Sequence, residues 1–276
     1  MPTILVSADM EGVSSIVHPT ETNPDRYDYE RGRALMTAEV NAVVAGVLDA
    51  EPAAEVLVAD AHGPFRNVLP EELDARALLV RGRPRRYGMM AGLADGVDAV
   101  LFVGYHARAG AGPAVLAHTK SDAVLGVRLN GRPVGEIGLN TALAGHHGAP
   151  VVLLSGDDAA CAEMRELVPE ATTVAVKRAL GQAAAVALHP AVARERLREA
   201  AAAAIGTRAQ VAPMPTTRPV TVEVDLYSSS TVDSATLIPG VERATGARTV
   251  VFRGRDVAEA YDVVQLLVLL GEVKPG

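Results

Sequence analysis

The sequence predicts an α/β fold: a doubly wound, mostly parallel sheet with helices on both faces, followed by a smaller C-terminal α+β unit. Three observations predict it. Solid apolar runs recur along the first half of the chain, helical patterns separate them, and after a proline-broken stretch the pattern changes to strict apolar–polar alternation.

The runs TILVSA (3–8), EVLVAD (55–60), AVLFVGY (99–105) and APVVLLSG (149–156) are rich in leucine and β-branched residues and are bounded by polar or turn residues. Unbroken runs of that kind suit parallel strands buried on both faces. Between the first two, residues 30–50 carry Met36, Val40, Val43 and Val47 at steps of four, three and four, with Val44 and Leu48 widening the stripe. One face of that helix therefore packs on the sheet. Strand, helix, strand in succession implies right-handed crossovers and hence double winding. GVRLNGRPVG (126–135) sets Asn130-Gly131 between β-forming residues, the turn dipeptide of a tight hairpin. An alanine-rich helix over about 190–205 leads into VAPMPTTRPV (211–220), where three prolines forbid regular structure. Beyond it Val220, Val222, Val224 and Leu226 alternate with Thr221, Glu223 and Asp225, the pattern of a half-buried strand. TVVFR (249–253) is a second strand, and a helix over about 256–270 completes the unit. That helix is apolar on nearly every side; a subunit interface and a deep core position explain it equally well. The predicted boundary falls between residues 1–210 and 211–276.

Composition excludes several classes. The chain has 276 residues, 49% of them hydrophobic and 21% charged, which argues against disorder. Its 26 basic and 33 acidic side chains leave a net charge of −7, and only three basic residues are lysine (Lys120, Lys177, Lys274), so nucleic acid is not an expected partner. The single cysteine, Cys161, forms no internal disulfide, which fits a reducing compartment. MPTILVSADMEG lacks the basic segment of a signal peptide. The longest apolar stretch, around Val263–Leu270, is interrupted by Gln265 and falls far short of the ~20 residues that span a bilayer. The expectation is a cytoplasmic protein with no membrane partner.

In an open α/β sheet, ligands bind beyond the carboxyl ends of the strands, where the loops converge. By that criterion the first strand presents Asp9 and Glu11 in SADMEG, the second Asp60 and His62 in ADAHG, and the strand at 99–105 presents His106 in GYHARAG. Glu136 follows the hairpin, at an expected helix start. Two imidazoles and three or four carboxylates match the preferences of zinc and of the paired divalent ions of hydrolases. Residues two apart on an extended segment point the same way, so Asp9 and Glu11 can reach one ion together. Asp9, near the sheet centre, is the natural bridging carboxylate of a two-ion site. Asp9, Glu11 and Glu136 contribute −3 against +4 from two such ions, which leaves net positive charge to polarise a carbonyl.

Each element also has an ordinary reading. D-x-E-G alone is a polar turn, Asp60 orients His62 rather than binding metal, and Glu136 compensates a helix N-terminus. His118, in PAVLAHTKSD, is by itself a loop residue; His146 and His147 close a helix, and His18 and His189 merely flank prolines. Lys177, Arg108 and Asn140 are candidates for substrate contact and equally for structural roles.

As a set, SADMEG, YERGRALMTAEVNA, ADAHG, GYHARAG…AH and RPVGEIGLNTALAG resemble the bacterial zinc-dependent D-aminopeptidase family (DppA type), in the same order and over nearly the whole chain. The resemblance implies two zinc ions per chain bridged by Asp9, with Glu11 and His106 completing one site and His62 and Glu136 the other. It makes His118 the catalytic group, although the loop at 110–118 is richer in glycine and alanine than the family's. It also implies a short peptide substrate with an N-terminal D-residue, and a ring-shaped homo-oligomer, a decamer, around a central channel. On that reading residues 1–210 are the catalytic domain carrying the metal site, and 211–276 serve oligomerisation. The attacking group is either water activated at the metals, which chemistry favours, or His118 itself; in the first case His118 passes the proton to the leaving amine.

Two rivals come from other classes. A haloacid-dehalogenase-like phosphatase also places acids after its first strand, and SGDD (155–158) adds an acidic cluster. It leaves His62 and His106 idle, however, and has Lys177 on the wrong side of that cluster. A non-catalytic peptide-binding protein is the other, and it predicts indifference to chelators.

Overall fold

A computed structural model describes residues 1–273. In chain order its strands are β1 (Thr3–Ala8), β2 (Glu55–Asp60), β3 (Ala77–Val80), β4 (Ala99–Tyr105), β5 (Val124–Leu129), β6 (Arg132–Val134), β7 (Val151–Asp157), β8 (Thr172–Gly181), β9 (Ala184–Ala187), β10 (Val220–Leu226), β11 (Val241–Arg243) and β12 (Thr249–Gly254). The helices are α1 (Pro19–Thr22), α2 (Tyr29–Ala50), α3 (Glu136–His146), α4 (Asp158–Leu167), α5 (Pro190–Gly206), α6 (Ser229–Ala235) and α7 (Val257–Glu272).

The main sheet runs β3-β2-β1-β4-β7-β8-β9, parallel throughout except for β9, which returns antiparallel along β8. This is the expected doubly wound, mostly parallel sheet. The apolar runs are its central strands: every residue of β4 and β7 is buried, as are Ile4, Leu5 and Val6 of β1. Met36, Val40, Val43 and Val47 form the buried stripe of α2, which packs against α5, while α3 pairs with α4. The edge strands β3 and β9 and the neighbouring β8 escape sequence reading because their faces are half exposed and their patterns mixed.

The second sheet runs β11-β12-β10-β5-β6 and is antiparallel throughout. It corrects the predicted boundary. The hairpin turning at Asn130-Gly131 pairs with β10 across residues 124–129, so the second sheet draws two of its strands from before residue 211. Backbone partners decide this: β5 has a free edge that β10 completes. Residues 212–217 between the two regions carry no regular structure, as the prolines require. α7 packs on β10, β12 and α3 and buries Ala260, Tyr261, Val264 and Leu267. Its outer face keeps Leu266 and Leu269 each 48% exposed, so a deep core position does not account for the whole helix. Among the described residues no helix is long and apolar enough to cross a membrane.

Candidate metal centre

Three neighbouring parallel strands deliver the first side chains to one rim. Asp9 follows β1, His62 follows β2 and His106 follows β4. Glu136 is the first residue of α3, whose N-cap, Gly135, offers no side-chain cap. His118 comes from the irregular segment between β4 and β5. Asp9 and Glu11 meet for a different reason than strand alternation. β1 ends at Ala8, and residues 10–13 form a turn, closed by the Val13 N–H on the Met10 carbonyl at 3.2 Å, that folds Glu11 back beside Asp9. Gly12 permits this by lying directly on the backbone of Gly104 and Tyr105, where its N–H donates to the Gly104 carbonyl at 2.8 Å.

The structure brings the five predicted ligands and His118 together. His62 Nδ1 lies 3.0 Å from Glu11 Oε2 and 3.3 Å from Asp9 Oδ1. His106 Nε2 lies 3.4 Å from Glu136 Oε1 and 3.5 Å from Asp9 Oδ2. His118 Nε2 lies 3.7 Å from Glu136 Oε1, and its ring stacks on His106. Potential ligand atoms thus fall into two groups, Asp9–Glu11–His62 and His106–His118–Glu136, each within 4.8 Å. The side-chain contacts pair Glu11 with His62 and Glu136 with His106, the opposite of the pairing the resemblance implies.

The donor set fits metal. Each imidazole has one nitrogen on a backbone carbonyl: His62 Nε2 on Thr22 at 2.9 Å, His106 Nδ1 on Ala107 at 3.0 Å and His118 Nδ1 on Leu116 at 2.9 Å. A nitrogen facing a carbonyl carries the proton, so in the neutral ring the other nitrogen is a bare acceptor aimed at carboxylates. His106 Nε2 is buried with no hydrogen-bond partner. Acceptors converging on acceptors need protons or cations between them.

The electrostatics of the centre's own side chains show the same tension. Burial, then the charge of Glu11, pushes Asp9 up to about 7. Burial also opposes ionisation of Glu11 and Glu136, yet His62 holds Glu11, and Lys120 and His106 hold Glu136, well below the usual carboxylate range. Burial by itself lowers His106, but Glu136 beside it raises it to about 10. His62 is likewise raised by Glu11 against its burial. His118 goes the other way, lowered by burial and by neighbouring His106.

Supporting groups were less legible in the sequence. Asp60 does not touch His62. It accepts from the backbone N–H groups of Asn67 and Val68 and from the Asn67 amide, which in turn donates to the His62 carbonyl. Lys120 donates its backbone N–H to Glu136 Oε1 at 2.7 Å, and its Nζ lies 3.8 Å from Oε2 and 3.4 Å from the Tyr261 hydroxyl on α7. Asn140 is buried and bonds Tyr105 and Tyr261, which makes it structural. Lys177 is engaged with backbone carbonyls, and Arg108 is held through its N–H by Glu163. His18 and His189 cap the N-termini of α1 and α5.

A doubly wound sheet whose rim gathers three carboxylates and three imidazoles around one shared aspartate is the framework of a metal-dependent hydrolase. The peptidase family M55, described as D-aminopeptidase, matches residues 3–266. A D-aminopeptidase from Bacillus subtilis (strain 168) is 38% identical over 268 residues, 97% of each chain. A solved structure described as the zinc-dependent D-aminopeptidase DppA from Bacillus subtilis, a self-compartmentalizing protease, superposes with a TM-score of 0.95 at 35% identity, covering 99% of both chains. The chain belongs to the D-aminopeptidase family of peptidases. Membership sets aside the phosphatase, and local geometry agrees. Asp157 caps α4, Asp158 accepts from the Ala179 N–H, and neither joins the centre.

Proposed function

We propose that this chain is a zinc-dependent aminopeptidase that removes the N-terminal D-residue, D-alanine among them, from short peptides, and that its centre holds two zinc ions. One observation carries the count: Asp9 turns its two carboxylate oxygens toward two different imidazoles, each already beside a second carboxylate. Asp9, His62, His106, Glu11 and Glu136 would hold the pair, with Asp9 common to both ions and one imidazole and one glutamate beside each of its oxygens. When bound, such a pair supplies Lewis acidity toward a peptide carbonyl and lowers the pKa of water.

The protein's own groups do the rest. His118 is neutral near pH 7 because burial and His106 both disfavour its charge. Its Nδ1 is committed to Leu116 and its Nε2 faces the centre, so it moves a proton between the attacked carbon's side and the leaving amine. The rim carboxylates receive the substrate's free α-amine. Lys120 and its backbone N–H hold Glu136 ionised and in place.

The chain also assembles, on this reading, into a ring of identical subunits, ten by family resemblance, whose chamber admits short peptides and excludes folded chains. The second sheet and the half-exposed Leu266 and Leu269 of α7 offer apolar surface for that contact. Hydrolysis of paired D-Ala and L-Ala dipeptides by zinc-loaded protein, with a chelator control, tests the activity. Release from the D-dipeptide that stops on chelation supports it, and D-dipeptide cleavage indifferent to chelators refutes it.

A further inference from the structure

We infer that Lys177 is a positioning residue of the metal centre, whose ammonium holds the turn that carries Glu11. This rests on Glu11 being a zinc ligand. Lys177 lies on β8 and is almost wholly buried. Its direction is abnormal for a strand. Side chains alternate along β8 until the β7–β8 register slips beside Gly156 and Asp157, and there Val176 and Lys177 are buried in succession. A register slip of this kind re-aims a side chain, and such slips gather next to active sites.

The re-aimed ammonium reaches the turn after β1. Nζ donates to the carbonyls of Glu11 at 2.5 Å, Val13 at 2.8 Å and Ile16 at 2.5 Å. That uses all three of its hydrogens, so none remains for a substrate. Only the Val13 carbonyl has a second partner, the Ile16 N–H at 3.2 Å; those of Glu11 and Ile16 rely on the ammonium, and a buried carbonyl left unpaired is costly. Other groups complete the seat. Ser14 donates its N–H to Glu39 Oε1 at 2.9 Å and its hydroxyl to the Leu188 carbonyl at 2.8 Å. Lys177 is the one charged donor in this set, and it grips the backbone of the very residue whose carboxylate faces His62. With the ammonium gone, the carbonyls repel one another and the turn opens, which takes Glu11 away from Asp9.

The test has two readouts. In metal-free wild-type protein, hydrogen exchange should find the bonded amides of Gly12, Val13, Ser14, Ile16 and Val17 protected as strongly as those of β1; exchange at the rate of a free loop overturns the inference and needs no variant. In Lys177→Met, and in Lys177→Gln should the first not fold, exchange should rise in that segment alone. Zinc affinity, read by competition with a chromogenic chelator, should fall about 10- to 100-fold for one ion and stay unchanged for the other. The visible spectrum of the cobalt-substituted protein should change with it, and Lys177→Arg should restore part of both. Wild-type affinity for both ions with an unchanged cobalt spectrum overturns the inference, whatever the exchange data, because Lys177 would then serve the fold alone. If wild-type protein binds no zinc, the proposed function fails, while comparing exchange in metal-free wild type and Lys177→Met still decides whether Lys177 holds the turn.

Discussion

The imidazoles of His106 and His118 lie stacked, their centroids 4.1 Å apart and their planes 14° from parallel. Two rings so close do not both carry a proton easily, because a positive His106 lowers the pKa of His118 and so does a metal ion on His106. One ring faces the carboxylates of Asp9 and Glu136, and the other stands at the rim, 27% of its side chain exposed. On the proposed reading the stack separates a ligand from a neutral base within one contact.

Replacing His118 by alanine should lower turnover by about 10²- to 10⁴-fold while two zinc ions stay bound. Metal analysis beside steady-state kinetics measures both. Loss of zinc on the substitution would make His118 a ligand, in keeping with its place beside His106 and Glu136, and would end its assignment as proton carrier.

Zinc uptake should release protons and weaken as the pH falls. The sign follows from Asp9, whose carboxyl burial pushes up to about 7: below that pH it holds a proton that an incoming cation must displace. His62 and His106, both raised in the metal-free protein, add to the release. Calorimetric titration in buffers of different ionisation enthalpy reads the proton count, and a pH-independent affinity between pH 6 and 8 contradicts the account.

Glu39, which takes the Ser14 N–H behind the Glu11 turn, predicts a change in stability. Burial pushes its carboxyl up to about 7 from an ordinary 4.5, and Oε2 has no hydrogen-bond partner. A folded-state pKa above the unfolded one gives stability that is complete below about 4.5 and is lost as the pH rises through about 7. Glu39→Gln keeps an acceptor for the Ser14 N–H and removes the buried charge. It should therefore be more stable than wild type at pH 8, by up to about 3 kcal/mol, with the advantage vanishing near pH 4.5. Thermal unfolding across that range checks it.

Gly104 sits within β4 at φ +69, and a Cβ there would strike the carbonyl of Asp9 and the Val13 side chain. Gly104→Ala should cost about 2–4 kcal/mol, from left-handed strain and displaced backbone together, and lower zinc occupancy through Asp9. Unfolding combined with metal content separates this from an ordinary destabilising change, which lowers the first without the second.

Much of this was legible before the fold was seen, for identifiable reasons. Asp9, His62 and His106 follow strands whose apolar runs are unmistakable, so the rule that ligands gather at carboxyl ends located them. Glu136 was legible from the hairpin and helix start beside it. What stayed hidden depends on contacts distant in sequence. Lys177 is 166 residues from the carbonyl it holds at Glu11, and Tyr261 is 141 residues from Lys120. Nothing local in VAVKRAL announces a register slip. The pairing of Asn130-Gly131's hairpin with β10 was equally hidden, since a strand's free edge does not name its partner. Asp9 and Glu11 do lie together, but through a turn rather than strand alternation, because β1 ends at Ala8, before either residue.

The central claim is that Asp9 joins two cations, and zinc stoichiometry tests it most directly. Equilibrium dialysis of metal-free protein against zinc should give about two ions per chain for wild type and fewer than one for Asp9→Ala, with Glu11→Ala and Glu136→Ala each retaining about one. A wild-type chain that saturates at a single ion, or an Asp9→Ala chain that still binds two, contradicts the account.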